Sequence, residues 1–454
     1  MMIQASQEVD TKTLRRVIAA ASIGNFVEWF DFAAYGFLAT ILTKEFFPSG
    51  DPTIGLLKTF AVFAVAFAFR PLGGLFFGVI GDRIGRKRTL AFTILMMAGA
   101  TTLIGLLPTY ASIGYWAPLL LTVIRCVQGF SAGGEYAGAC AYVMEHAPRK
   151  RRAFFGSFVP VSTFSSFACA AVVAYALESS LSATSMVEWG WRVPFLIAAP
   201  VGLIGVYLRM NLHETPAFKA LEGNHDVAHA PLMETLRSQS LNILKLGAFV
   251  SVTALSFYTF TTYFATYLQV AGHLSRPTSL LVTVLALFFA AAICPLAGLF
   301  SDKVGRRATI ASTGLFIIVT VYPAFSLGGS GELSSSLLGV ALLAIGAVLS
   351  GVVTAPLLSE TFPTKTRYTA SAITYNLAYT IFGGTAPLVA TWLIAETGST
   401  LSPAYYLIAV SIFAMLGGLS LRETSSTALE EAGGAAFAGA NGAAAVKPVA
   451  KRTI

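Results

Sequence analysis

The sequence predicts an all-α membrane protein in which twelve transmembrane helices form two six-helix pseudo-repeats. Three observations carry this prediction. Of the 454 residues, 55% are hydrophobic and only 11% are charged, whereas an ordinary soluble domain has about 25% charged residues. Twelve stretches are long and apolar enough to cross a bilayer. Two loop motifs each occur twice, in the same order in the two halves of the chain.

The distribution of charge and cysteine excludes several classes of function. The net charge is +8, but the basic residues stand in short clusters between apolar stretches, where they set membrane orientation. A nucleic-acid partner is therefore not expected. The four cysteines lie inside apolar stretches without a C-x-x-C pair, which favours packing over disulfides or metal ligation. We expect no metal and no cofactor.

Each predicted span holds about 20 largely apolar residues, the length that an α-helix needs to cross the hydrocarbon core. The first six spans lie near 17–42, 57–80, 89–107, 115–145, 153–177 and 191–211. The second six lie near 243–271, 278–300, 308–327, 335–359, 368–395 and 403–421. The predicted units are an N-terminal six-helix bundle, a cytoplasmic linker, a C-terminal six-helix bundle and an Ala/Gly-rich disordered tail, at 1–212, 213–242, 243–424 and 425–454.

Loop charge predicts the orientation. The loops on one side of the predicted spans carry clusters such as Arg149–Arg152, while the opposite loops carry few positive residues. Because Lys and Arg are retained on the cytoplasmic side, both termini and the linker are expected to be cytoplasmic. The predicted location is the inner (plasma) membrane of a prokaryote, with the bilayer as the surrounding partner.

The repeated motifs predict a network of charges in the cytoplasmic loops. Gly78-x-x-x-Asp82-Arg83-x-Gly85-Arg86-Lys87 recurs as Gly298-x-x-x-Asp302-Lys303-x-Gly305-Arg306-Arg307. Glu145-x-x-Pro148-x-Lys150-x-Arg152 recurs as Glu360-x-x-Pro363-x-Lys365-x-Arg367. Carboxylates beside guanidinium groups can pair or cap a helix N-terminus. We predict a conformational latch formed by Asp82, Arg86, Glu145 and Arg152 in one half, and by Asp302, Arg306, Glu360 and Arg367 in the other.

These loops resemble the cytoplasmic signature of the major facilitator superfamily, and the Glu-x6-Arg pair resembles its sugar-porter branch. Further stretches are similar to the metabolite:proton symporter family, which includes transporters of proline and glycine betaine, α-ketoglutarate, shikimate and citrate. The stretches are Gly24–Phe32, Arg70–Gly74, Arg125–Tyr136 and Glu188–Phe195. The resemblance implies a transporter, not an enzyme, in which spans 1 and 4 line a central cavity.

Ionisable residues inside spans are costly unless they are paired or hydrated, so they are candidates for function. Glu28 and Asp31 share a face of span 1, while Arg125 and Glu135 lie in span 4. We predict that Asp31 faces Arg125 and that protonation frees the guanidinium for a substrate carboxylate. A permanent ion pair is the alternative, and Glu135 is the rival proton carrier. Arg70 is expected to reach the headgroups rather than the substrate.

The remaining candidate substrate contacts are aromatic and amide groups. Gln128 shares a face of span 4 with Glu135, and Tyr35 follows Asp31 by four residues. The second half offers hydroxyl, amide and ring contacts from Tyr263 and Tyr267 in span 7 and from Tyr375, Asn376 and Tyr379 in span 11. Packing is the alternative for these stripes. One embedded cation, Arg125, suits a zwitterion or a mono- or dicarboxylate.

The function predicted from these features is proton-coupled import of a small carboxylate-bearing metabolite by a monomer that alternates access. The organic acid α-ketoglutarate and zwitterions such as proline or glycine betaine are both open. A proton-coupled antiporter that exports a drug or metabolite is the alternative. No G-x-x-x-x-G-K-[ST] sequence occurs, which argues against an ATP-driven pump, and the histidines lie in loops, which argues against an enzyme.

Overall fold

The computed structural model describes residues 11–84, 86–133, 135–211, 231–363, 366–425, 427 and 429. Within these ranges the chain is helical and contains no strand. The predicted spans coincide with helices, which we number α1 to α12. The helices of the first half are α1 (Thr11–Phe37 and Ala39–Phe46), α2 (Pro52–Ala68 and Arg70–Ile84), α3 (Arg86–Leu106), α4 (Trp116–Ser131 and Glu135–His146), α5 (Arg152–Gly156 and Phe158–Ser180) and α6 (Val193–Asn211).

The second half repeats this pattern. Its helices are α7 (Pro231–Tyr258, Thr259–Tyr263 and Phe264–Val270), α8 (Arg276–Val304), α9 (Arg306–Gly328), α10 (Leu333–Glu360), α11 (Arg367–Ala378, Tyr379–Gly383 and Ala386–Thr397) and α12 (Ser402–Leu419). Short helices connect some of them, at Tyr110–Ile113, Arg149–Arg151, Ala183–Glu188 and Gly190–Arg192.

The predicted fold class is confirmed. Ten helices of the described chain are long and apolar enough to cross a membrane, and Ala91–Leu106 is a shorter apolar helix. The remaining span, α4, is divided by a break after Ser131. The chain is a multi-pass membrane protein.

Helix α7 begins earlier than the sequence predicted. It starts at Pro231, inside the segment predicted as linker. Hydropathy placed residues 231–242 in a loop because they are polar, but a helix that extends beyond the bilayer needs no apolar surface. Thr235 and Gln239 of this extension are buried. Residues 213–230 of the predicted linker lie outside the described residues.

The two halves pack against each other along one seam. Its largest contact joins α5 to α8, and further contacts join α2 to α11, α4 to α10 and α1 to α7. Two hydrogen bonds cross the seam between its two ends. The Asn376 amide donates to the Gly133 carbonyl oxygen (2.6 Å), and the Thr380 hydroxyl donates to the Phe67 carbonyl oxygen (2.8 Å).

Helix interruptions gather around this seam. Thr259–Tyr263 in α7 and Tyr379–Gly383 in α11 are π-helical turns, and α4 breaks where Gly133 accepts the hydrogen bond from α11. π-Helical turns disrupt the regular backbone ladder and are frequent at functional sites. In this protein the turns flank a cluster of buried aromatic side chains.

Candidate functional site

Aromatic side chains from both halves meet at the seam. The Trp29 ring lies 5.4 Å from that of Phe257, 6.3 Å from that of Tyr258 and 6.5 Å from that of Tyr379, centroid to centroid. Phe67 contacts Tyr258 (5.1 Å). Tyr375 stacks on Tyr136 (4.5 Å) and on Tyr379 (3.9 Å). We call these seven residues the aromatic cluster.

Arg125 lies beside this cluster in α4 and is fully buried. Its Cζ stands 4.3 Å from the centre of the Tyr35 ring and 5.1 Å from that of Phe63. Phe63 in turn contacts Tyr258 of the aromatic cluster (5.8 Å). The guanidinium donates from Nη1 to Gln128 Oε1 (2.8 Å), while Nε and Nη2 have no hydrogen-bond partner among the described residues.

The unpartnered edge of Arg125 is the edge that binds carboxylates. Nε–H and one Nη2–H of arginine point the same way and form a fork that fits two carboxylate oxygens. Elsewhere in this chain Arg306 uses the same edge for Glu360, with Nε–Oε2 and Nη2–Oε1 distances of 3.0 Å each. The edge of Arg125 that could hold a carboxylate therefore has no hydrogen-bond partner among the described residues.

Tyr35 and Gln128 hold Arg125 in this orientation. The Tyr35 hydroxyl donates to the Thr59 carbonyl oxygen (2.9 Å), which fixes the ring under the guanidinium. Gln128 accepts from Arg125 and donates to the Thr101 hydroxyl. Both predicted residues thus contact Arg125 rather than forming a separate surface, and a hydrogen bond to a charged group stabilises it by about 1.5–3 kcal/mol.

Arg70 differs from the sequence prediction. It does not extend to the headgroups but is buried, and its Nη2 lies 3.3 Å from Glu28 Oε1. Nη2 also donates to the Ala132 carbonyl oxygen at the break in α4 (3.2 Å). The sequence spacing to the cytoplasmic loop indicates this depth. The twelve residues from Arg70 to Asp82 rise about 18 Å along a helix, which is beyond the reach of an arginine side chain.

Two predicted proton carriers cannot be placed. Asp31 lies in α1 and Glu135 opens the second segment of α4, but the side chains of both lie outside the described residues. The predicted facing of Asp31 and Arg125 therefore stays a prediction. Glu28, the third predicted carboxylate, is buried and paired with Arg70.

The predicted residues of the second half separate into two groups. Tyr375 and Tyr379 belong to the aromatic cluster, and Asn376 bonds across the seam to Gly133. Tyr263 lies further along α7, where its ring contacts Phe60 across the seam (6.2 Å). Tyr267 is not brought to the cluster, because its hydroxyl donates to the Phe325 carbonyl oxygen (3.0 Å) inside the second half.

Sequence reasoning missed several members of the aromatic cluster. Trp29, Phe67 and Phe257 were not predicted as site residues, since an aromatic residue in an apolar span is usually packing. Trp29 carried one signal, its place between Glu28 and Asp31. A ring next to buried charges has a specific use, because its face can interact with a cation.

At one end of the seam lies a dense set of charged contacts, which we call the latch. Arg306 is buried and holds Glu360 through two hydrogen bonds of 3.0 Å. Its Nη1 donates to Asp302 (3.1 Å) and to Ser301 (3.1 Å). These residues belong to the two motifs of the second half, which the sequence predicted to act together.

The latch joins the halves through pairs that cross the seam. Arg152 of the first half lies 3.6 Å from Glu360 of the second. Conversely, Arg367 of the second half lies 3.7 Å from Glu145 of the first. Each Glu-x6-Arg motif therefore contacts its counterpart, whereas the sequence predicts that Glu145 joins Asp82 and Arg86 of its own half. The side chains of Asp82 and Arg86 lie outside the described residues.

Asp302 adds a contact between the halves. Its carboxylate accepts from the backbone N–H groups of Ala153 (2.9 Å) and Phe154 (2.8 Å), at the start of α5. An anion is stabilised there by unpaired N–H groups and by the helix dipole. Gly298 permits the approach, since a Cβ at that position would lie 2.7 Å from the Ala153 carbonyl oxygen. The Gly-x-x-x-Asp spacing of the second half thus fits α8 against the start of α5.

The opposite end of the seam is also bridged. Arg276 at the start of α8 lies 3.6 Å from Glu178 near the end of α5. The Thr40 hydroxyl donates to the Gln269 side chain (3.3 Å). The aromatic cluster is therefore enclosed between contacts at both ends.

Replacing Glu360 with glutamine is expected to destabilise the protein by about 3–5 kcal/mol, the usual effect of removing one partner of a buried ion pair. The amide would present N–H groups to Arg306 and would leave Arg152 without its carboxylate. Thermal unfolding in detergent measures the effect. Glu332→Gln is the matched control, because Glu332 is exposed at the other end of α10 and surface substitutions usually change stability by less than about 0.5 kcal/mol. Equal melting temperatures for the two variants would contradict a structural latch.

Comparison with known proteins identifies the family. A family model described as the Major Facilitator Superfamily matches residues 21–387. The proline/betaine transporter of Salmonella typhimurium is 38% identical over 433 residues, which cover 93% of this chain and 86% of that protein. The glycine betaine/proline/ectoine/pipecolic acid transporter of Dickeya dadantii is 37% identical, with the same coverage of 93% and 86%. An ectoine/proline transporter of Corynebacterium glutamicum is also 37% identical, with 93% and 86% covered.

A solved structure supports the fold. The proton:xylose symporter XylE, bound to 6-bromo-6-deoxy-D-glucose, superposes with a TM-score of 0.73 at 18% identity, over 94% of this chain and 99% of that one. At this identity the likeness concerns the fold alone. The family match, the relatives and the two-half architecture agree. The chain therefore belongs to the Major Facilitator Superfamily, as a solute transporter of its metabolite:proton symporter family and not an enzyme.

Proposed function

We propose that this transporter is a proton-coupled symporter that imports a small zwitterion with one carboxylate and one ammonium group, such as proline or glycine betaine. The observation that carries the proposal is the buried Arg125, whose Nε and Nη2 are unpartnered among the described residues. A buried charge is unfavourable unless it is paired. A substrate carboxylate would supply two charge-assisted hydrogen bonds on that edge.

The aromatic cluster supports an ammonium group as the other end of the substrate. A quaternary or secondary ammonium is attracted to the faces of tryptophan and tyrosine rings, by about 0.5–2 kcal/mol per contact. Tyr258 and Trp29 belong to opposite halves and lie 6.3 Å apart. A cation bound at both rings would therefore also draw the halves together.

The charge balance favours a zwitterion over α-ketoglutarate. Two guanidinium groups lie near the cluster, but Arg70 already pairs with Glu28, which leaves Arg125 to neutralise a single carboxylate. A second carboxylate would need Arg70 to leave Glu28. The relatives at 37–38% identity carry names that specify proline, betaine and ectoine, which agrees with this reading.

Proton coupling is assigned to the carboxylates beside the two guanidinium groups. Protonation of Glu28 would remove its attraction to Arg70, and Asp31 and Glu135 remain candidates for the same role at Arg125. A carboxylate beside an arginine binds a proton weakly, whereas burial favours the protonated form. Substrate and proton would then enter together. Protonation of a carboxylate changes the charge around the guanidinium that binds the substrate, and the bound substrate changes the charge around that carboxylate.

Alternating access would proceed by rocking of the two halves about the aromatic cluster. The loops of the latch end carry the excess of Lys and Arg, so we place that end and both termini in the cytoplasm of a prokaryotic inner membrane. In this scheme the latch closes the cytoplasmic side while the Arg276–Glu178 pair closes the other. A monomer contains both halves and is sufficient for the cycle.

Uptake into proteoliposomes tests this function. An inward proton gradient is expected to accumulate proline or glycine betaine, and a panel with ectoine, α-ketoglutarate, shikimate and citrate ranks the substrates by thermal shift. A protonophore should abolish accumulation but spare exchange. Stabilisation by α-ketoglutarate or citrate alone would replace the zwitterion with an organic acid. Expulsion of substrate by inward protons would establish the antiporter.

Removing the Tyr258 ring is expected to weaken glycine betaine binding about tenfold, the upper part of the range for loss of one cation–π contact. Tyr258→Leu removes the ring face, while Tyr258→Phe keeps it and removes a hydroxyl that has no partner among the described residues. The phenylalanine variant should bind within about twofold of the parent. Tyr322→Leu, on the half-exposed face of α9, is the control, and calorimetry measures all four proteins. A tenfold loss in Tyr258→Phe would instead assign the contact to the hydroxyl.

A further inference from the structure

The described residues that follow α12 turn back across the latch. Glu423 accepts from the backbone N–H groups of Arg306 and Arg307 (2.9 Å each), the first residues of α9. It also accepts from the N–H groups of Thr424 (3.1 Å) and Ser425 (3.0 Å). The guanidinium of Arg307 donates to the Leu419 carbonyl oxygen (3.0 Å), which fixes the end of α12 beside α9.

The following residues bond to the latch itself. The Thr424 hydroxyl donates to Glu360 Oε2 (2.8 Å). Arg152 Nη1 donates to the Thr427 carbonyl oxygen (2.9 Å), and Arg367 Nη2 donates to the Leu429 carbonyl oxygen. We call the described residues 423–425, 427 and 429 the strap. Thr427 and Leu429 were predicted to lie in a disordered tail because of its composition, but their carbonyl groups have arginine donors that hydropathy does not reveal. Residues from 430 onward lie outside the described chain.

Gly305 makes room for the strap. Its φ is +93°, a conformation that favours glycine. A Cβ there would lie 3.0 Å from the Glu423 carboxylate. The glycine of the repeated motif therefore serves both the turn into α9 and the approach of Glu423 to the N-terminus of that helix.

The charge of Glu423 suits this place. Partial burial alone would raise the pKa of its carboxyl group, but hydrogen bonds from the backbone of Arg307, Arg306 and Ser425 lower it overall. The group therefore stays ionised at neutral pH. An anion at the first turn of a helix is stabilised by its unpaired N–H groups and its dipole.

We propose that the strap is a component of the latch and that Glu423 is its positioning residue. Glu423 and Thr424 anchor the strap to α9 and Glu360 in the second half, while Thr427 binds Arg152 of the first half. Separation of the halves at this end must break the Arg152–Thr427 contact. The strap therefore favours the conformation in which the latch is closed. This inference rests on the alternating access of the proposed function but not on its substrate.

Distance measurement between spin labels tests the strap without a substrate. Arg149→Cys and Lys303→Cys place one label on each half at the latch end, at exposed positions, after the four native cysteines are replaced by alanine. Glu423→Gln is expected to raise the ratio of long to short distances about tenfold, as loss of about 1.4 kcal/mol would do. Glu423→Asp should give an intermediate ratio, because it keeps the charge.

Two truncations guard against misfolding of the point variant. Ending the chain after Thr424 removes Thr427 and Leu429, whereas ending it after residue 430 keeps them. The shorter chain should show the same rise as Glu423→Gln, and the longer one should match the full chain. Arg422→Gln, an exposed neighbour, should also match. Unchanged distances in both Glu423→Gln and the shorter chain would overturn the proposal. If transport of zwitterions fails while the distances shift as expected, only the substrate assignment falls.

Discussion

Replacing Arg125 with glutamine is expected to abolish uptake and to weaken zwitterion binding about a hundredfold or more, while leaving the unliganded protein as stable as the parent or more stable. Two hydrogen bonds to a charged group are worth about 3 kcal/mol together at the low end of their range, which is more than a hundredfold in affinity. The gain in stability follows from burial. Nε and Nη2 of Arg125 have no described hydrogen-bond partner, so removing the charge removes a desolvation that the Gln128 hydrogen bond and the Tyr35 ring offset only in part.

Weaker binding together with unchanged or higher stability would distinguish a substrate-binding arginine from one that holds a structural ion pair. Arg306→Gln is the matched comparison, since Arg306 is equally buried but holds Glu360 and Asp302. Its loss should destabilise the protein by about 3–5 kcal/mol, because it leaves buried carboxylates unpaired. Arg125→Lys keeps the charge but not the fork, and should recover only part of the binding.

Calorimetry for binding and thermal unfolding for stability measure these variants. If Arg125→Gln lowers the melting temperature as much as Arg306→Gln does, Arg125 holds helices together and the receptor assignment is wrong. Such a result would also favour the alternative in which Asp31 and Arg125 form a permanent pair.

The latch was predictable because its residues recur. Arg306 and Glu360 each have a counterpart in the first half at the same place in the motif, and two matched copies are difficult to explain as solvated loop charges. Their partners were not predictable. From the sequence, either glutamate could pair with the arginine of its own half or with that of the other half, because the two motifs are alike. Only the packing of α5 on α8 selects the pairs that cross the seam.

The central site was only partly predictable, since the position of a charged residue along a transmembrane helix does not identify the side chain with which it pairs. Arg125 was predicted as an embedded cation and is buried. Arg70 was predicted to reach the headgroups, because its neighbours in the sequence do not reveal that Glu28 lies across the α1–α2 contact. The tyrosine stripes rest on a period of 3.6 residues. That period holds for Tyr375 and Tyr379, which stack at 3.9 Å. It also holds for Tyr263 and Tyr267, whose ring centroids lie 6.3 Å apart.

The second large effect concerns the crossing of α2 and α4. Gly129→Ala is expected to prevent normal folding, because a Cβ on Gly129 would lie 1.7 Å from the Ala66 carbonyl oxygen. The obstructing atom is backbone, so no side-chain rotation relieves the overlap and the two helices must separate. Overpacking of a core by a single methylene already costs about 1–3 kcal/mol, and in membranes close backbone approach is itself a main source of helix association.

Gly99→Ala in α3 is the matched control, since its Cβ would meet no atom within 4 Å. We expect Gly129→Ala to lose most of its monodisperse peak in size-exclusion chromatography, or to melt several degrees below the parent, since in a chain of this length each kcal/mol of lost stability lowers the melting temperature by about 1 °C. Gly99→Ala should elute and melt like the parent. Normal yield and melting temperature for Gly129→Ala would show that α2 and α4 do not approach as closely as the structure describes.

The position of this crossing makes its effect functional as well as structural. Arg125 lies one turn before Gly129 in α4, and Arg70 bonds to the Ala132 carbonyl oxygen one turn after it. A separation of α2 from α4 would therefore move both guanidinium groups relative to the aromatic cluster. Any Gly129→Ala protein that does fold should lose substrate affinity more than Gly99→Ala does, because displacement by about 1 Å is enough to disrupt a two-point carboxylate contact. Binding by the folded fraction decides whether the glycine serves the fold alone or also holds the site.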